Sequence, residues 1–386
     1  KSEFQVLRVL HANASSSAPA GKADANLFNE ASQVVLARDG KRTVISMLND
    51  YKGPLSEFAL VVPTPVTLKE GQVRVADKAT FARLDAYSSP RLAEYHDDNP
   101  CRLESSWGQV RPMMEMMKSM ASAAPAPTAR SMQDMSRDKA LGVTVDVQYT
   151  LEEYDIISLS ATQSDGLETW LAENGYKLPK GASAALRPYI NQGMKFFVAK
   201  VNLKEQLKAG YSTLRTLQFA FESDKFMLPM RLGMLNANPD KAQDLIVYTL
   251  TRQGRVESSN YRTVKLPSNV NLPPMIKPKF QDFYKAMFDK QAVQENLRVV
   301  FTEYFWDMGW CDPCADQPLS PQELKNAGVF WDTAQAPPVL TRLHVRYNAT
   351  SFPEDLMFTQ TKDRQNWQTR YVMQTPYESS VAQCSA

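Results

Sequence analysis

Strand-like runs follow one another in this chain before any helical pattern intervenes, and that clustering limits the fold more than any other feature. Gln33 to Leu36, Thr43 to Leu48 and Phe58 to Val62 come in succession, divided only by Arg38-Asp39-Gly40-Lys41 and Lys52-Gly53-Pro54. An Asp-Gly pair between two β-rich runs predicts a tight hairpin, because its turn needs positive φ and glycine takes it freely. Val143 to Thr150 and Tyr154 to Ala161 form a second group. Phe196 to Leu203, Thr213 to Phe221, Phe226 to Leu235 and Asp244 to Thr251 form a third, and Leu340 to Tyr347 with Gln368 to Gln374 close the chain. A doubly wound parallel fold would alternate strand with helix. Clustered strands instead predict an α+β fold of largely antiparallel sheets with a few isolated helices.

The helices announce themselves by their ends. Asp77 is placed to cap a short helix over KATFARLDAY, and Ser89-Pro90 predicts another that stops before Asn99-Pro100-Cys101. Residues 165–175 carry Asp165 and Glu168 in capping-box spacing, an apolar face of Leu167, Trp170 and Leu171, and Asn174-Gly175 as a stop. Lys279 to Asn296 is the longest helical pattern, with Phe280, Phe283, Tyr284, Met287 and Phe288 on one stripe, which reads as core. Ser320 as N-cap, Pro321 at N1, Glu323 at N3 and Gly328 past the end predict one more.

A chain of 386 residues suffices for two or three domains, each with its own core. Composition divides it into a flexible lead-in (1–26), an N-terminal α+β domain (27–111), a Met/Ala/Pro-rich linker or mobile insertion (112–138), a β-rich α+β domain (139–275) and a C-terminal region of helix and strand (276–386). Forty-four basic residues against 42 acidic leave a net charge of +2, which argues against nucleic acid or an anionic membrane as partner. No apolar run approaches the roughly 20 residues of a transmembrane helix. Lys1 stands where either a processing site or a cloning boundary would leave it.

Cys101, Cys311, Cys314 and Cys384 make an even set, compatible with two disulfides in three possible connectivities, so the fold is expected to be disulfide-stapled. Trp310-Cys311-Asp312-Pro313-Cys314 has the form used by thiol–disulfide oxidoreductases, where Cys311 would attack and Cys314 resolve. Asp312 and the late start of the next helix both oppose the low thiol pKa that such chemistry needs, so a structural role is preferred. A bridge within the motif would contribute about 2 kcal/mol and one between Cys101 and Cys384 about 5 to 6 in the chain-entropy model.

Met113, Met114, Met116, Met117 and Met120, with Met132 and Met135 beyond them, offer thioethers that could take Cu(I), against the plainer reading of an adaptable docking segment. His11, His96 and His344 are scattered, none in zinc-ligand spacing, and His96-Asp97-Asp98 reads as a polar helix end. Asn13 and Asn348 open N-glycosylation sequons of the kind that arise by chance. Arg342 to Tyr347 interleaves basic and aromatic residues, but as a strand rather than a nucleic-acid surface. Neither a nucleophile elbow nor a phosphate loop is present, and no cofactor motif.

Three blocks, KADANLFNEASQVVLARDGKRTVISMLNDYKGPLSEFALVVPTPV with LDAYSSPRLAEYHDDNPC, YDIISLSATQSDGLETWLAENGYKLP, and WCDPCADQPLSPQELKNAG, resemble a bacterial family known as domain of unknown function 2330. The resemblance spans roughly Lys22 to Tyr371. It implies export to the periplasm or cell exterior and supplies no catalytic residues. The resulting expectation is a non-enzymatic envelope protein that binds or assembles with another envelope protein or complex. A thiol–disulfide oxidoreductase is the alternative, and a copper-handling protein the weaker one.

Overall fold

The computed structural model describes residues 32–48, 59–96, 137–176, 178, 180–202, 205, 215–235, 242–313, 315 and 317–375. Its strands, in chain order, are β1 (Ser32–Asp39), β2 (Arg42–Met47), β3 (Ala59–Thr64), β4 (Val73–Ala76), β5 (Arg91–His96), β6 (Val143–Leu151), β7 (Tyr154–Ala161), β8 (Lys195–Val201), β9 (Thr216–Glu222) and β10 (Met227–Leu228). They continue as β11 (Gln243–Thr251), β12 (Val256–Ser258), β13 (Arg262–Lys265), β14 (Val270–Asn271), β15 (Val299–Asp307), β16 (Val339–Tyr347), β17 (Leu356–Gln360), β18 (Trp367–Gln368) and β19 (Arg370–Thr375). The α-helices are α1 (Ala79–Ser88), α2 (Ser164–Glu173), α3 (Ala182–Asn191), α4 (Arg231–Leu235), α5 (Phe280–Gln294) and α6 (Pro321–Asn326).

A nine-stranded sheet runs in the order β13-β15-β16-β11-β1-β2-β9-β4, with β18 added to β15. It takes strands from all three folded segments of the sequence. A four-stranded sheet, β3-β8-β7-β6, packs on one of its faces. The period of two along each strand sets this layering. In β1, Val34 and Leu36 meet Phe197 and Ala199 of the smaller sheet, while Val35 and Ala37 face Leu84 of α1 and Leu324 of α6. In β3 and β8, Val61, Phe196 and Val198 turn the other way, onto Leu167 and Trp170 of α2 and Tyr189 of α3. The order of layers is therefore helix, large sheet, small sheet, helix.

The sheet-rich architecture with few helices is the α+β class that the clustered strands imply. The sheets are mixed: most neighbours are antiparallel, but β1 and β11, β13 and β15, and β19 with both its neighbours pair in parallel. The Asp39-Gly40 hairpin forms as expected, with Gly40 at φ 57°. So do the α6 signals, where Ser320 and Glu323 complete a capping box and Gly328 takes φ 98°. The α5 stripe is core: Phe280, Tyr284 and Phe288 are buried.

Three local expectations are corrected. Ser89-Pro90 starts no helix; the residue before proline is driven to extended backbone, ψ 146° at Ser89, and Arg91 onward pairs with β19. Residues 226–235 form only the two-residue β10 before turning into α4, whose first N–H groups are met from afar: Asp355 Oδ1 accepts from Met230 N at 2.7 Å. Asp165 and Glu168 form no capping box, because the helix starts at Ser164 and Asp165 accepts a hydrogen bond from Ser183 instead. The run 299–307, unassigned in the sequence, is β15, a fully buried strand. Residues 182–191, also unassigned, are α3, which contains Pro188.

Helix α2 approaches the Leu141 turn so closely that a Cβ on Gly166 would overlap the Leu141 carbonyl oxygen. Gly166→Ala is therefore expected to lose about 1 to 3 kcal/mol of stability despite alanine's better helix propensity, read as a lower urea midpoint.

Candidate functional site

Glu303 sits near the middle of β15 with every neighbour in the strand buried. Pairing with β16 slips there: Thr302 faces Leu343 and Tyr304 faces Arg342, leaving Glu303 as the extra residue of a β-bulge. A bulge re-aims one side chain without ending the strand. Here it places the carboxylate between Arg342 and His344, which alternate onto the helix-covered face of β16. Glu303 Oε1 accepts from Tyr284 Oη of α5 at 2.7 Å and contacts His344 Nδ1 at 2.6 Å, while Oε2 accepts from Arg342 Nε at 2.6 Å.

The network extends in both directions. Arg342 Nη1 donates to Asp85 Oδ1 of α1 at 2.6 Å, and Tyr248 Oη of β11 lies 3.1 Å from both groups. His344 Nε2 lies 2.9 Å from Asp244 Oδ1, and Arg346 Nε and Nη2 grip Asp244 at 2.8 and 3.0 Å. The Phe288 ring of α5 stacks on His344 with centroids 4.0 Å apart. Glu303, Arg342 and His344 are 1%, 2% and 0% exposed.

Both ring nitrogens of His344 face carboxylate oxygens, which only accept, so both must donate and the ring is an imidazolium. Burial alone would push its pKa down, but Glu303 and Asp244 overcome this and hold it at about 9. Burial would likewise raise the Glu303 carboxyl, yet His344 and Arg342 bring it down to about 2. Glu303, Arg342 and His344 are charged, partnered and closed to solvent, and the Tyr284 and Tyr248 hydroxyls stay neutral, burial raising both well above their usual range. The arrangement clamps α1 and α5 to the sheet and offers no open face to a substrate.

The sequence candidates lie elsewhere. Cys311 is an exposed free thiol, and Trp310 beside it is 68% exposed. Asp312, between the two motif cysteines, is buried: Oδ2 accepts from Tyr304 Oη at 2.9 Å and Oδ1 from Gln368 Nε2 at 3.1 Å. It pins the loop to β15 and β18. Cys101, Cys314, Cys384, His11 and the methionines at 113, 114, 116, 117, 120, 132 and 135 lie outside the described residues, as does the side chain of His96. The expected stapling therefore has no disulfide among the described residues, where Cys311 is free. Among those residues no cluster of His, Cys, Asp and Glu is arranged to hold a metal, and no helix is long and apolar enough to cross a membrane.

An open cavity of about 350 Å³ lies at the other end of the large sheet. Its floor is β2, β9 and β4, and α6 with the turn that follows closes one side. Arg42, Arg74 and Lys325 supply its charge. Its two remaining polar side chains are Gln72 and Gln218, the rest of the lining being apolar or glycine. Gly328 is required by the close approach: a Cβ there would meet Val44 Cγ1 at 2.7 Å. Neither this cavity nor the Glu303 network is drawn from a motif, since each assembles residues distant in sequence.

A family model for uncharacterized proteins conserved in bacteria (DUF2330) matches residues 12–359, and the chain belongs to that family. No curated protein matches it. Among solved structures, a mutated baculovirus P35 after caspase cleavage matches at 8% identity and TM-score 0.34, over 86% of this chain and 97% of that one. A second structure of that protein gives 10% identity and TM-score 0.29, over 58% of this chain and 66% of that one. A caspase-8/P35 complex gives 8% identity and 0.30, over 88% and 96%. Scores this low carry no argument.

The ion network makes stability depend on pH with a definite sign. His344 is raised from 6.5 to about 9 on folding, so its contribution is complete below pH 6.5 and is lost as pH rises through 9. Glu303 is lowered from 4.5 to about 2, so its contribution is complete above pH 4.5 and is lost as pH falls through 2. Both shifts report largely the same contact and are counted once, at about 3 kcal/mol. Urea unfolding should show a plateau between pH 4.5 and 6.5 and a decline of that size by pH 9.5, flattened in His344→Gln. A wild-type curve level from pH 6.5 to 9.5 would remove the imidazolium assignment.

Proposed function

We propose that this family member is an exported, non-enzymatic envelope protein that works as a binding or assembly module. The observation that carries the reading is a separation of chemistry. The residues capable of acid–base work that the fold gathers, Glu303, His344, Asp85 and Tyr284, are buried and partnered. The open cavity is lined without Ser, Thr, Tyr, Cys, His, Asp or Glu. A cavity of cations and amides, without a carboxylate, hydroxyl, thiol or imidazole, is furnished to hold a ligand rather than to transform one. Export rests on the family resemblance and the even cysteine set. Fractionation of cells making the full-length native protein tests it, and a purely cytosolic distribution would reject it.

The oxidoreductase alternative has one observation in its favour, the exposed Cys311 thiol beside exposed Trp310. Against it, Asp312 buries its carboxylate beneath the motif and anchors the loop, a structural use of the residue that a redox site would need mobile and electropositive. Within the proposal, disulfides remain the stabilising device, and Cys101 with Cys384 closes the long loop. Peptide mapping of the native protein under non-reducing conditions should recover that linked pair. Four freely alkylated cysteines would remove the staple, and insulin reduction lost in Cys311→Ser would replace the binding module with an enzyme.

A further inference from the structure

The cations lining the cavity, Arg42, Arg74 and Lys325, form no ion pair among the described residues. Arg42 stacks its guanidinium on the Phe330 ring, 4.7 Å from the centroid, and makes no hydrogen bond or ion pair among the described residues. Glu222, opposite Arg42 on β9, forms no ion pair with it there. The Lys325 ammonium is likewise without a partner among the described residues, its carbonyl alone being engaged. Arg74 donates from Nε to Gln218 Oε1 and from Nη2 to the Lys325 carbonyl at 3.2 Å, which leaves three of its five N–H donors free among those residues.

Gln218 makes this a built site. It is 2% exposed, and its amide nitrogen is fixed by Ser46 Oγ at 2.6 Å and the Asn326 carbonyl at 3.1 Å. Its oxygen is thereby aimed at Arg74, so a buried amide holds that guanidinium in place before any ligand arrives. Phe330 does the same for Arg42 by stacking. Two guanidinium forks and an ammonium, two of the three pre-positioned, converge on one cavity lined by no carboxylate.

We propose that this cavity is a binding site for a small, multiply charged oxyanion, its carboxylate or phosphate oxygens held by Arg42, Arg74 and Lys325. Guanidinium forks match such oxygens bidentately, and an anion bound there supplies the counter-charge that the fold withholds. Val44 and Val329 give any carbon skeleton an apolar wall. The proposal rests on the binding-module reading and names the ligand class of that module.

Calorimetry on the full chain with citrate and with inorganic phosphate tests it. One-to-one binding of at least one probe, weakening as sodium chloride rises, is expected. Arg42→Gln and Lys325→Gln remove side chains that donate no hydrogen bond to the described protein, so both variants should melt as wild type does yet bind at least tenfold more weakly. Lys285→Gln, on α5 far from the cavity, should bind unchanged. Binding that survives both cavity substitutions would overturn the site, and no binding of either probe would overturn the ligand class. Either failure leaves the binding-module reading standing with another ligand. Insulin reduction through Cys311 would remove that reading and leave the anion measurement as it is.

Discussion

A carboxylate removed from water in the middle of a sheet is worth several kcal/mol of penalty unless it is fully compensated, and Glu303 is the point at which this fold meets that constraint. Its compensation comes from four elements besides its own: Tyr284 of α5, and Arg342 and His344 of β16, with Asp85 of α1 and Tyr248 of β11 closing the far side. None of these can shift alone. A slip of β16 by one residue would turn Leu343 toward the carboxylate and Arg342 toward the apolar interior between the sheets, so the ion network fixes strand register as firmly as the hydrophobic pattern does.

The same chain treats charge in two opposite ways. Inside, cations and carboxylates are matched and closed off, and the result is stability within a pH window. At the cavity, Arg42, Arg74 and Lys325 are held together without matching acid in the lining. A net charge of only +2 conceals this, because the whole-chain sum averages a local excess with acidic residues placed elsewhere. Overall neutrality argues against a polyanion spread over the surface and says nothing about a small anion in a pocket.

Several local signals in the sequence sufficed where no distant partner intervenes. The Asp39-Gly40 turn, the Ser320 capping box and the Phe280, Tyr284, Phe288 stripe each depend on residues within a turn or two, and each forms as the pattern implies. Errors fall where a distant partner decides. Arg91 is a strand because Thr369 and β19 are there to receive it, and α4 begins where it does because Asp355 reaches Met230. The site was legible only in retrospect. Glu303 alone among Val299 to Trp306 carries a charge, and a lone acid in such an apolar run signals a buried partner. The partner's identity, His344, was visible only as a scattered histidine. The cavity residues come from β2, β4, β9 and α6, and no spacing along the chain joins them.

The parallel pairing of β1 with β11 orders events during synthesis. Val35 leaves the ribosome long before its partner Tyr248, and the β1–β2 hairpin must wait with an apolar edge that β11 covers only later. At about 5 to 20 residues per second the delay is on the order of ten seconds or more. Until β11 and β16 arrive, that edge is a template for pairing with other nascent chains. Folding of the large sheet is thereby tied to completion of most of the polypeptide, so a chain truncated before Val339 keeps the hairpin and β11 but loses β16, the strand that joins them to β15.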